Sequence, residues 1–314
     1  MFGKNEEEFR NEISQRLSVA KSKDINTIYF HAHPNGDAYY NSEIFPKGSI
    51  LDGEYDPLQI VLDEAHSLNI SVHAWINPLR LQTVEQMEQI TEPFIVKDWI
   101  ADPNNDFVKI VNNRWYLNPA YDESIELVRS CVEEILENYD VDGIHIDDYF
   151  YPTTDLEFDR IAFEKYDDKD ISKWRIENCT NLVKALYDTV KAYDNRVLFG
   201  ISPQGNINSN YNSQYADVRL WGSEAGYCDY ILPQIYFGFK NETSPFEQTL
   251  NDWIELASED SVSLIIGLAS YKLNKEDVWA GAAGETEWIE NPEIINQQIE
   301  IVKKSEADGY ALYE

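Results

Sequence analysis

The chain has 314 residues, 43% of them hydrophobic and 13% aromatic, which is enough apolar material for a sizeable core and too much for a disordered or coiled-coil chain. It carries 25 Lys and Arg against 57 Asp and Glu, a formal charge of −32. So acidic a surface repels phosphate backbones and anionic lipid, which argues against nucleic-acid and membrane-surface partners, and no stretch approaches the roughly 18 apolar residues of a membrane span.

The N-terminus, MFGKNEEEFRNE, is charged throughout and holds no apolar signal-peptide core. A helical pattern covers 6–22 and leads to the apolar run 25–31 (INTIYFH). A second helix, 56–68, opens on Asp56 and Pro57, a capping residue followed by one suited to the first turn. The run 70–76 (ISVHAWI) follows, then a long connection, 77–117, that reads as a lid or rim element. A helix over 120–138 is expected to be capped by Asn118, with Pro119 in its first turn. Next come the run 141–147 (VDGIHID), a charged insertion at 155–170 and a helix over 173–193 opening near Trp174 and Arg175. The runs 196–202, 229–236, 262–269 and 308–313 complete the chain, with helices at 246–258 and 292–305 between them.

These runs are continuous rather than alternating, as in strands buried on both faces, and one helix per crossover means a parallel sheet. No G-x-G-x-x-G follows any run, so the usual sign of a dinucleotide-binding fold is missing. The expected fold is therefore α/β, a (β/α)8 TIM-type barrel, forming a single domain over 1–314. Seven runs are one short of eight. The missing strand either hides in 104–117 or precedes residue 1. Cys131, Cys179 and Cys228 are too scattered for a disulfide framework or a zinc motif and read as core residues.

In such barrels the chemistry sits where strands end. After the first run stand His31, His33, Asn35, Asp37 and Tyr40; after the second, Trp75, Asn77 and Arg80. The third ends in HIDDYFYP, with His145, Asp147, Asp148 and Tyr149. Gln204 and Asn206 follow the fourth, Gln234 and Tyr236 end the fifth, and Tyr271 and Lys272 follow the sixth. Aromatic rings to stack on sugar faces, amides and Arg to address hydroxyls, and paired carboxylates for acid and nucleophile or base together describe a carbohydrate cleft meeting at one rim. Asp147 and Asp148 are the catalytic candidates. His31, Asp37, Trp75, Asn77, Arg80, His145, Tyr149, Gln204, Gln234 and Tyr236 are the candidate substrate contacts. Asp37 and Glu224 are further candidates for the second carboxylate, whereas Asp229 begins its run, at the wrong end. Lys272 is either a contact for an acidic sugar or a surface lysine; Trp221 is either core or ligand-facing. No cofactor or metal is called for, and the expected partner is an oligosaccharide or polysaccharide.

DGIHIDDYFYP, with HPNGDAYY, EAHSLNISVHAWINPLR, WYLNPA, FGISPQGN, DYILPQIYFGF and GLASYK, resembles the glycosyl hydrolase-like family 10, formerly domain of unknown function 187, in motif order from about 6 to 313. The resemblance implies a TIM-type barrel that hydrolyses O-glycosidic bonds of a bacterial glycan such as peptidoglycan or another amino-sugar polymer. It implies a first strand upstream of residue 1, Asp147 at the end of the fourth strand as a catalytic carboxylate, and an extracellular or cell-envelope location for the full-length protein. It makes Trp174–Arg175 a structural anchor. The family usually carries Arg where His33 stands. Two other readings remain open at this level: a metal-dependent amidohydrolase or deacetylase using His31, His33, His73, His145 and Asp147, and a non-catalytic sugar-binding barrel.

Overall fold

The computed structural model describes every residue except 2, 92 and 167–169. It comprises two compact units, Met1–Phe199 and Gly200–Glu314, with the boundary inside a strand. In the first unit three strands run parallel: β1 (Thr27–His33), β2 (Ser71–Ile76) and, one short strand and a hairpin later, β6 (Gly143–Ile146). β7 (Leu198–Ile201) starts beside β6, where the Leu198 N–H donates to the Asp142 carbonyl at 3.0 Å. In the second unit β7 pairs in parallel with β8 (Tyr230–Ile231), β8 with β9 (Ser263–Ala269), and β9 with β10 (Gly309–Tyr313). All seven apolar runs are therefore strands.

The intervening helices follow their local signals. Glu6–Ser22 opens on a capping box in which Asn5 and Glu8 exchange hydrogen bonds. Pro57–Ser67 is capped by Asp56, whose carboxylate accepts from the Gln59 N–H. Asp122–Asn138 lies against Ile171–Tyr193, with Arg129 Nε donating to Thr189 Oγ1 at 3.1 Å. Asn118 does not cap the former. It is fully buried four residues earlier, accepting from the Ala120 N–H and donating to the Asp106 carbonyl, so it shapes the turn into the helix instead.

The segment 77–117 is no loop, and 104–117 holds no eighth parallel strand. It contains β3 (Arg80–Thr83), helices Val84–Gln89 and Ile95–Ala101, β4 (Val108–Val111) and β5 (Arg114–Leu117), with the strands forming an antiparallel sheet in the order β3-β5-β4. The reason is the two-residue turn between β4 and β5. Asn112 and Asn113 both adopt positive φ, +48° and +64°, which matches the twist of a tight hairpin and folds the apolar run back on itself. Of the charged insertion, Leu156–Phe158 and Arg160–Phe163 are short helices, while 167–169 lie outside the described residues. All three cysteines are buried.

Candidate active site

In the first unit, pairing sets His31, Trp75 and His145 directly opposite one another on β1, β2 and β6. The His31 ring lies flat on the Trp75 indole, centroids 4.1 Å apart, and His145 stands edge-on to that indole at 6.0 Å. Two residues earlier the row is Tyr29, His73 and Gly143. Tyr29 touches both His73 and His145, at 5.4 and 4.5 Å between centroids. A side chain at position 143 would meet the His73 ring at 2.6 Å, so only glycine leaves room for this floor. Gly143→Ala is expected to cost about 1–3 kcal/mol of stability through overpacking, read as a lower urea midpoint. An unchanged midpoint would mean that His73 gives way freely.

Trp75 is fixed by its neighbours. Its Nε1 donates to Asn77 Oδ1 at 3.3 Å, while Asn77 Nδ2 donates to the Pro34 carbonyl at 2.7 Å and the Asn77 N–H to the His33 carbonyl at 2.9 Å. Asn77, 1% exposed, thus braces the indole and the exit loop of β1. Arg80, the first residue of β3, lays its guanidinium 4.2 Å over the Tyr149 ring. His31 Nε2 and Arg80 Nε are buried without a hydrogen-bond partner, an arrangement that proteins rarely leave unfilled in use.

Asp147 follows β6 directly and is 5% exposed; its Oδ1 accepts from the Asp148 backbone N–H at 2.8 Å. Asp148 is half-buried and Tyr149 exposed. The loop carrying them is anchored further on by a pair invisible to spacing arguments. Arg175 grips both carboxylate oxygens of Asp159, Nε at 2.8 Å and Nη2 at 2.6 Å, with both side chains fully buried. Its Nη2 also donates to the Asp155 carbonyl, and its guanidinium sits 5.2 Å over Tyr151.

Asp37 lies in the loop after β1, beyond Gly36, whose φ of +67° and packing against Leu81 admit no side chain. Its carboxylate accepts from the Asn35 N–H at 2.9 Å, and burial raises its pKa above the ordinary value. Glu224 is exposed at the end of helix Val218–Ser223, on the approach to the start of β8. His33 packs edge-on against Phe45 at 4.3 Å. Among the described residues no group of three or more His, Cys, Asp or Glu is placed to hold a metal ion.

Burial, with the Arg80 charge second, lowers the His31 pKa to about 4; burial and then His31 lower that of His33 to about 3. Burial, His73 and His31 push His145 well below its usual value. All three are neutral imidazoles. In the unfolded chain they would titrate near 6.5, so the unfolded state binds more protons as the pH falls. The stability tied to their neutrality is whole above about pH 6.5 and is lost from there down toward pH 4. Ring resonances of His31 and His145 are expected to stay constant from pH 7 to 5 by NMR. A midpoint near 6.5 for either would contradict the burial account.

In the second unit, Gln204 and Gln234 bridge each other past the ends of β7 and β8, and Gln234 Nε2 donates to the Ser202 carbonyl at 3.0 Å. Tyr236 stacks on Tyr313 at 5.8 Å, and Tyr271 meets both rings edge-on. Lys272 is neither free at the surface nor poised for an acidic ligand: its Nζ donates to the Tyr236 carbonyl and to Asp277 Oδ2, both at 2.8 Å. Trp221 and Trp253 are fully buried core residues, the latter donating to the Gly205 carbonyl at 2.8 Å.

A family model described as Glycosyl hydrolase-like 10 matches residues 5–281. The chain belongs to the glycosyl hydrolase-like 10 family. Glycosyl hydrolase YngK of Bacillus subtilis (strain 168) is 31% identical over 332 residues, covering 96% of this chain and 63% of YngK. Glycosyl hydrolase DigH of Escherichia coli (strain K12) is 31% identical over 311 residues, covering 89% of this chain and 68% of DigH. The chain thus spans about two thirds of the length of these relatives. The PgaB (BpsB) glycoside hydrolase domain from Bordetella bronchiseptica superposes with a TM-score of 0.65 at 13% identity, over 100% of this chain and 90% of that one. Alpha-L-fucosidase isoenzyme 2 from Paenibacillus thiaminolyticus gives 0.59 at 12% identity, over 97% and 43%. At such identities the likeness speaks for fold alone, and the glycosyl hydrolase-like 10 chain has the α/β fold of (β/α)8 type expected from its runs, with seven parallel strands among the described residues. No helix among the described residues is long and apolar enough to cross a membrane.

Proposed function

We propose that this glycosyl hydrolase-like 10 chain hydrolyses O-glycosidic bonds of a bacterial glycan, peptidoglycan or another amino-sugar polymer, at the strand ends of its first unit. The observation that carries this reading is Asp147, buried directly after β6 and two residues beyond the stacked row of His31, Trp75 and His145. Asp147 acts as nucleophile or general base. The acid is Asp148 or Asp37; the latter's raised pKa is the property that an acid at neutral pH requires. Trp75 and Tyr149 offer faces to sugar rings, and Arg80 Nε and His31 Nε2 are the buried polar groups left for hydroxyl or amide contacts. A neutral His31 can accept or donate a hydrogen bond without adding charge. Asn77 serves through Trp75 and the β1 loop. In the second unit Gln204, Gln234 and Tyr236 are the candidate substrate contacts. Because the substrate is an envelope polymer, the full-length protein would act outside the cytoplasm or in the cell envelope.

The test is incubation of the purified chain with peptidoglycan fragments and amino-sugar oligomers, followed by mass spectrometry, with and without a chelator. Shorter oligomers in both samples are expected. Loss of acetyl groups without chain cleavage, abolished by chelation, would instead support a metal-dependent deacetylase. Binding without any product would support a sugar-binding barrel.

A further inference from the structure

The sequence holds eight tryptophans, and seven of them are buried or half-buried. Trp279 is 87% exposed, beside Val278 at 64%. The two occupy the central positions of a four-residue turn closed by the Ala280 N–H donating to the Asp277 carbonyl at 2.9 Å. The turn is braced on every side. Asp277 is buried and its carboxylate takes the Lys272 ammonium. The Asp277 N–H donates to the Glu285 carbonyl at 2.8 Å and the Glu242 N–H to the Ala280 carbonyl at 2.9 Å. Glu242 Oε1 accepts from the Ala283 N–H at 3.1 Å, and Gly281 supplies the left-handed residue, φ +79°, that turns the chain back. The exposed indole therefore sits on a fixed platform.

Its place in the fold is equally defined. The turn follows β9 after the short helix Ser270–Lys272, so it belongs to the loops at the C-terminal ends of strands. Lys272 ties it to the segment after β8 through the Tyr236 carbonyl. We propose that the Asp277–Ala280 turn is an accessory glycan-binding site, in which the Trp279 indole stacks on the apolar face of an uncharged sugar ring. This rests on the glycan reading of the first unit. The net charge of −32 opposes nucleic acid, anionic lipid and a second copy of the chain as the occupant. A neutral pyranose has no such penalty and matches a flat, exposed ring.

The test uses the whole chain and an uncharged probe, the N-acetylglucosamine hexamer. Adding the hexamer is expected to shield the most exposed indole from acrylamide quenching. This shielded component disappears in Trp279→Phe, which keeps hexamer affinity within about threefold, whereas Trp279→Ala weakens it about tenfold. Shielding that is identical in wild type and Trp279→Phe, no shielding at all, or unchanged affinity in Trp279→Ala overturns the proposal. Shielding by the hexamer with no cleavage of any glycan would remove the hydrolase reading and leave this site standing. Cleavage without shielding would do the reverse.

Discussion

Asp147→Asn is expected to lower turnover of a susceptible glycan by roughly 10²–10⁴-fold, the range by which a positioned acid, base or nucleophile contributes. The substitution keeps the shape of the side chain and removes only its charge. The amide oxygen can still accept from the Asp148 N–H, which now meets Asp147 Oδ1 at 2.8 Å, so this contact within the loop after β6 survives. Circular dichroism and the urea midpoint should therefore stay near wild type while turnover collapses. Comparing Asp148→Asn with Asp37→Asn then identifies the acid, because loss of the acid removes the alkaline limb of the pH–rate profile. A rate for Asp147→Asn within a few-fold of wild type would withdraw the assignment. Once both carboxylates are known, their separation foretells stereochemistry: about 5–5.5 Å for retention and 6.5–9.5 Å for inversion.

Arg175→Met should produce the largest loss of stability of any single change considered for this chain, about 3–5 kcal/mol. The guanidinium and the Asp159 carboxylate are both fully buried, joined by two hydrogen bonds, and Arg175 Nη2 also donates to the Asp155 carbonyl. Methionine fills much of the volume but leaves Asp159 charged, buried and without its counter-ion. The double variant Arg175→Met, Asp159→Leu should recover most of the loss, because it removes both charges together. Chemical denaturation of the two variants measures this. Because the pair also fastens the segment 155–159 to the helix Ile171–Tyr193, turnover in the single variant should fall as the loop carrying Asp147 and Asp148 loosens. A single variant as stable as wild type would mean that water reaches and solvates Asp159.

The parts of this molecule governed by short-range pattern were legible in its sequence. Continuous apolar runs gave all seven parallel strands, because a strand buried on both faces needs no alternation. Asp56 and Pro57 marked a helix start that the structure reproduces. The errors came where the deciding partner lies elsewhere. The stretch 104–117 has the apolar content of a strand, but whether such a run adds to the main sheet or folds back depends on its turn. Asn112–Asn113, with both residues at positive φ, was the signal that pointed to a hairpin. Asn118 precedes a helix as a cap would, yet its amide is drawn to the Asp106 carbonyl across a turn. Lys272 carries no mark of its contact with Asp277, and Arg175 none of its contact with Asp159, since each pair is joined by folding rather than by a motif. In the candidate site, the residues at the strand ends were legible because parallel topology places them there. The bracing behind them was not: Asn77 is a candidate ligand contact in sequence, and nothing in its spacing shows that its amide also holds Trp75 and Pro34.

The central claim is that a sugar is cleaved at the first unit's strand ends, and a crystal structure of Asp147→Asn with a cleavable oligosaccharide bound tests it most directly. The account predicts a sugar ring against Trp75 or Tyr149, with the scissile bond within hydrogen-bond reach of residue 147 and with hydroxyl or amide groups on His31 Nε2 and Arg80 Nε. An oligosaccharide held elsewhere, with residue 147 still enclosed by protein and out of reach of any glycosidic oxygen, would contradict it.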